Sequence, residues 1–179
     1  MSFPQAQAAT APTLGAELRL AAVYLFCGLF ALLLQTTILH ALSGGRAIPD
    51  LVLILCVYLA LYEHNVGGAT GAFLFGYMLD SFSGSVVGLN AFAMTSVYLV
   101  VYLASRRLWM DNTMSGIAMV FLATFLKGIA VLGALAAYLT VDRLTLGAAQ
   151  ILLGEALLAA ALTPPIFGFL RWARRTMGA

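Results

Sequence analysis

PDLVLILCVYLALYEHNVGGATGAFLFGYMLDSFSGSVVGLNAF, residues 49 to 92, decides the fold of this chain. Two lipid-grade apolar runs, 49 to 62 and 66 to 82, flank the polar turn Glu63-His64-Asn65, and glycines and two lone aspartates interrupt them. Asp50 and Asp80 each stand fifteen residues from Asn65, so an antiparallel hairpin brings both to a similar depth. The first run has only 14 residues, about 21 Å of helix, and the second about 17, against the ~20 that cross a bilayer core. The pair reads as a short hairpin that either thins the membrane locally or is tucked behind longer neighbours. Glu63 and His64 read as a solvated turn.

Working outward, 179 residues with 63% hydrophobic and 9% charged side chains cannot cover a soluble globule with polar surface. A mean hydropathy of +1.00 agrees. The chain therefore reads as an all-α polytopic membrane protein. Further apolar segments at about 18 to 42, 88 to 105, 115 to 139 and 146 to 170 make a bundle of six transmembrane helices. Residues 1–15 lack both an apolar run and the basic start of a signal peptide, which predicts a disordered cytoplasmic tail before an uncleaved first helix. The six-helix domain is expected over 16–172 and a short basic cytoplasmic tail over 173–179.

Arg19, Arg106, Arg107, Arg171, Arg174 and Arg175 fall on one side of such a bundle, against Arg46 and Arg143 on the other. Positively charged loops stay inside, so both termini are expected in the cytoplasm. Trp109, Trp172 and Tyr102 fall at that same interface. A net charge of +2 without a basic, aromatic-interleaved patch argues against nucleic acid. Cys27 and Cys56 lie in apolar runs, where a thiol behaves as a small hydrophobe.

The charges inside apolar runs need local reasons. Asp50 follows Pro49, and a carboxylate in a first turn meets the positive end of the helix dipole. Asp80 closes its helix, where the dipole repels it. Its stabiliser could be the hydroxyls of Ser81 or Ser83, N–H groups of the turn at Ser83-Gly84-Ser85, Arg46 or Arg143, or another chain, which leaves it either a loop organiser or a partner contact. Gly67 and Gly71 form a GxxxG step that Ala72 and Gly76 continue, marking a helix closely packed within the bundle or against a partner. Gly84 and Gly88 suit turns. Lys127 sits mid-helix in the fifth segment, and Glu155 is the only acid inside another apolar segment. Counted from the turn near Asp142, Lys127 faces residue 158, roughly 4.5 Å from the level of Glu155, so an intramembrane ion pair is expected, either locking the bundle or relaying a proton or substrate. Ser83-Gly84 suggests a serine nucleophile, but His64 lies in the opposite turn and His40, although on the same side as Ser83, ends the first helix, so neither suits a catalytic dyad. No phosphate loop, metal-ligand spacing or cofactor motif is present.

A Pro49-Asp50 entry, Tyr58, a glycine-rich helix with Gly67, Gly71 and Gly76 ending at Asp80, then Ser83-Gly84 and Gly88-Leu89-Asn90-Ala91-Phe92 follow in an order that resembles the MreD family, the membrane subunit of the bacterial rod-shape system. Gln35 and the basic C-terminus extend the likeness. The resemblance implies a six-helix architecture similar to the S subunits of energy-coupling-factor vitamin transporters. It also implies a non-catalytic, cofactor-free scaffold in the bacterial cytoplasmic (inner) membrane that binds single-span MreC. Through MreC it would reach MreB, RodA and RodA's transpeptidase partner and help organise peptidoglycan synthesis. The competing expectation is an S-component-like uptake subunit. Short outer loops, with few ring-stacking or ionisable residues beyond Lys127 and Glu155, weigh against its vitamin site.

Overall fold

A computed structural model describes residues 14–39, 48–83, 87–107, 113–138 and 146–177. Among the described residues, six helices form a single bundle: α1 (Leu14–Leu33), α2 (Leu51–Tyr62), α3 (Val66–Ser83), α4 (Leu89–Arg107), α5 (Thr113–Tyr138) and α6 (Leu146–Met177). α1 continues into a π-helical stretch, Leu34–Leu39. The windows Leu18–Thr37, Met114–Gly133 and Gln150–Thr176 are long and apolar enough to cross a membrane. α6 runs through Met177, so the basic residues of the expected 173–179 tail begin inside a helix.

The shortest helix is the centre of the bundle. α2 has 12 residues, about 18 Å, and packs against all five others. Its sequence LVLILCVYLALY is apolar on every side, and Leu51 through Ala60 are all buried. A helix without a polar face has no stable place except inside a bundle. Of the two expectations for the short hairpin, α2 follows the second: it is tucked behind longer neighbours.

Both ends of α2 are tied. Asp50 is its N-cap, with Oδ1 accepting the Leu53 N–H at 3.0 Å. The Leu51 N–H donates to Gln35 Oε1 at 3.1 Å, so the widened last turns of α1 also serve the start of α2. At the far end the Glu63 N–H returns to the Leu59 carbonyl at 2.8 Å. Asn65 then caps α3 by accepting the Gly68 N–H at 2.9 Å.

α3 lies against α4 through a row of small residues, Gly68, Ala72 and Gly76, spaced by four. A Cβ on Gly76 would stand 2.5 Å from the Ala91 Cα and the Asn90 carbonyl oxygen, and one on Gly68 would stand 2.7 Å from the Tyr98 hydroxyl. The expected GxxxG step is one residue out of phase with this contact. A Cβ on Gly67 meets only the Asn65 side chain, and one on Gly71 makes ordinary contact with Leu59 at 3.5 Å. Close approach on this face is internal to the bundle. Gly88 has φ +95°, a turn conformation that favours glycine. Ser83 ends α3; its side chain, Gly84, His40, Arg46, Trp109 and Arg143 lie outside the described part.

Candidate functional site

Polar side chains gather at the two ends of the α2–α3 hairpin. Asp50 and Asp80 lie at one end, and Glu63, His64 and Asn65 at the other.

Asp50 is 7% exposed and uses its two oxygens differently. Oδ1 caps α2, while Oδ2 forms an ion pair with Lys127 Nζ, which reaches across from α5. This corrects the expected pairing of Lys127 with Glu155. The expectation rested on the adjacency of α5 and α6 and treated Asp50 only as a cap. A cap consumes one carboxylate oxygen, so the other remained for the lysine. Glu155 is nevertheless close, and Lys127 and Asp50 both act on it electrostatically. Gly128 permits this proximity, because a Cβ there would press against Leu152, one turn before Glu155, at 3.0 Å.

Asp80 is 1% exposed and is a cap contributed by the preceding helix. Its Oδ2 accepts the N–H groups of Gly88 at 2.9 Å and Ala91 at 3.1 Å. Its Oδ1 accepts both the N–H and the side-chain amide of Asn90 at 2.9 Å. Gly88 occupies the N-cap position of α4 and has no side chain to offer, so the first turn takes its acceptor from α3. The dipole of α4 thus favours the charge that the dipole of α3 repels. Gly76, one turn earlier on the same face, lets the backbones approach for this contact. Of the stabilisers expected for Asp80, the Ser81 hydroxyl donates instead to the Tyr77 carbonyl at 3.0 Å. The signal that finds these donors is a helix start whose N-cap, Gly88, has no side chain, eight residues after Asp80.

The opposite end is more than a solvated turn. Glu63 Oε1 accepts from the Tyr24 hydroxyl at 3.2 Å and lies 3.6 Å from Arg174 Nη2, which connects α1, the α2–α3 turn and α6. The Tyr98 hydroxyl of α4 donates to the Glu63 carbonyl at 2.9 Å. His64 is exposed and lies 3.2 Å from the Ser105 hydroxyl. Tyr58 is fully buried, its ring 4.6 Å from Tyr62, 5.3 Å from Phe167 and 6.1 Å from Tyr24. Its buried hydroxyl makes no hydrogen bond of ordinary geometry among the described residues.

Chemically, these groups join helices. Among the described residues, no three His, Cys, Asp or Glu side chains gather as metal ligands. Of the residues singled out in the sequence, the bundle brings together Asp50 with Lys127 and Glu155, and Asp80 with Gly76 and Gly88. It leaves Gly67, Gly71 and Tyr58 in separate packing contacts.

The sequence matches the family of the rod shape-determining protein MreD over residues 18–173, nearly the whole chain, and the chain belongs to that family. No curated protein and no solved structure gives a significant match. Family membership implies a role in rod-shape determination, and with three long apolar helices it places the chain in a membrane.

Proposed function

Taking that membership as the premise, we propose that this chain is a non-catalytic membrane scaffold of the bacterial cell-elongation machinery. In this reading it binds the single-span protein MreC, through which it acts on MreB, RodA and RodA's transpeptidase partner in peptidoglycan synthesis. All six helices cross the inner membrane in an arrangement like that of transporter S subunits, with both termini cytoplasmic. The excess of arginine at Arg19, Arg106, Arg107, Arg171, Arg174 and Arg175 supports that orientation.

The observation that carries the scaffold reading is the family match across nearly the whole chain. The internal contacts support it: Asp50 and Asp80 join neighbouring helices instead of lining a substrate site. The uptake alternative loses support from the groove between α1 and α6, whose walls are apolar, whereas a vitamin needs converging polar groups. Because the Gly68–Ala72–Gly76 face is occupied by α4, a partner would meet the outward residues of α3 and α4, among them Phe73, Tyr77, Leu99 and Leu103, all exposed.

The test is co-purification of the tagged chain with full-length MreC from detergent-solubilised membranes. Recovery well above that of an unrelated six-helix protein is expected, and Tyr77→Ala with Leu99→Ala should reduce it while the bundle still melts normally. Background-level recovery of MreC with a folded chain would remove the scaffold reading.

A further inference from the structure

Between α1 and α6, with α2 as its floor, the bundle leaves an open groove of about 670 Å³. Phe26 and Phe30 form one wall, Leu162, Ile166 and Phe169 the other, and Leu55 closes the bottom. The remaining lining is also apolar, apart from the weakly polar Cys27 thiol.

One end of the described groove is basic, whereas the other, beside Leu51, meets the paired charges of Asp50 and Lys127 with Glu155 near them. On α6 the row Leu162, Ile166, Leu170 continues at the same four-residue step to Arg174, one turn below the groove. On α1 the row through Cys27 continues back to Arg19, which is exposed. Trp172, 60% exposed with its ring 6.1 Å from Phe169, marks the headgroup level on the same wall. Glu63 offsets Arg174 in part.

We propose that this groove holds an acyl chain of an anionic phospholipid from the leaflet that contacts Arg19 and Arg174, with the lipid phosphate between those two arginines. Size admits a chain: the open groove, about 670 Å³, has room for a narrow apolar occupant. Charge selects the headgroup, because basic groups between membrane helices recruit anionic lipid. Register supports both. Arg174 is four residues from Leu170 and Arg19 is seven from Phe26, or about 6 Å and 10 Å along the helices, which leaves room for a glycerol linkage between phosphate and chain. The lipid would complete the packing of α1 against α6. The inference depends on membrane placement and not on the scaffold reading, so loss of MreC binding would leave it intact.

The full chain in nanodiscs of phosphatidylcholine, doped with phosphatidylglycerol carrying a photoreactive acyl chain, tests the site. Labels are expected within 26–34 and 162–170. They should exceed those from an equally doped photoreactive phosphatidylcholine by about fivefold, the factor expected for one basic residue near a phosphate. Arg19→Gln should bring the two lipids to within about twofold while leaving total labelling. Ile166→Trp should remove labelling by both. Equal labelling by the two lipids in the unaltered chain, or an undiminished preference in a folded Arg19→Gln variant, would overturn the proposal. So would labels confined to other helices, which would leave the groove to a partner's apolar segment.

Discussion

Asp50 and Asp80 stand at the same end of one hairpin, yet their charges are met by different means. Asp50 gives one oxygen to the start of its own helix and the other to Lys127 on a distant helix. Asp80 gives both oxygens to the N–H groups at the start of the next helix. The first arrangement uses a cationic side chain, and the second draws on the aligned N–H dipoles at a helix start. Removing the charge while keeping the shape should therefore separate the two sites.

The largest effect is expected at the ion pair. Asp50→Asn retains an N-cap acceptor but leaves Lys127 without its counter-ion, and Lys127→Met leaves Asp50 charged and buried. Each should destabilise the bundle by about 3–5 kcal/mol, read from denaturant unfolding in detergent. At Asp80 the expected order is different. Asp80→Ala strips the first turn of α4 of its acceptors and should cost about 2–3 kcal/mol. Asp80→Asn, which keeps one oxygen, should cost about half of that. Faster amide exchange at Asn90 and Ala91 in both variants, with the α2 start still protected, would confirm that the damage is local. An Asn variant as unstable as Ala would mean that charge, and not the hydrogen bonds, stabilises the site.

The glycines sharpen the same comparison. Gly76→Ala places a Cβ against the α4 backbone beside the Asp80 contact and should cost about 1–3 kcal/mol through overpacking. Gly71→Ala meets only the tip of Leu59, so its effect should stay within about 0.5 kcal/mol. Equal losses would place the close helix contact on the GxxxG face after all. The smallest effect at the aspartate end is expected from Glu155→Gln, below about 1 kcal/mol, because glutamine keeps the shape and an acceptor while Lys127 retains Asp50.

Most of the helices were legible in the sequence because each apolar run is bounded by polar turns, and Asn65 announces the α3 cap directly. The all-round apolarity of α2 likewise points to the bundle centre once its 12 residues are seen to be too short to face lipid alone. The side-chain partnerships were less legible, for separate reasons. Periodicity reports which residues share a face but not which neighbour that face meets, so the obvious GxxxG step obscured Gly68 one residue away. Asp50 fully explains itself as a cap, which conceals its second oxygen. Asp80 and its donors are eight to eleven residues apart, across a turn that local capping patterns do not span. Glu63 looked solvated because the arginine it meets, Arg174, lies more than a hundred residues later in the chain.

The most direct test of this account is a double-mutant cycle on Asp50→Asn and Lys127→Met, set beside the cycle on Glu155→Gln and Lys127→Met. Unfolding free energies in detergent should show a coupling of about 2 kcal/mol or more for the first pair and clearly less for the second, with the Asp50–Lys127 double variant more stable than the sum of its single losses implies. Additivity within about 0.5 kcal/mol for Asp50 and Lys127, or a larger coupling between Lys127 and Glu155, would contradict the ion pair on which the α2–α5 junction is built.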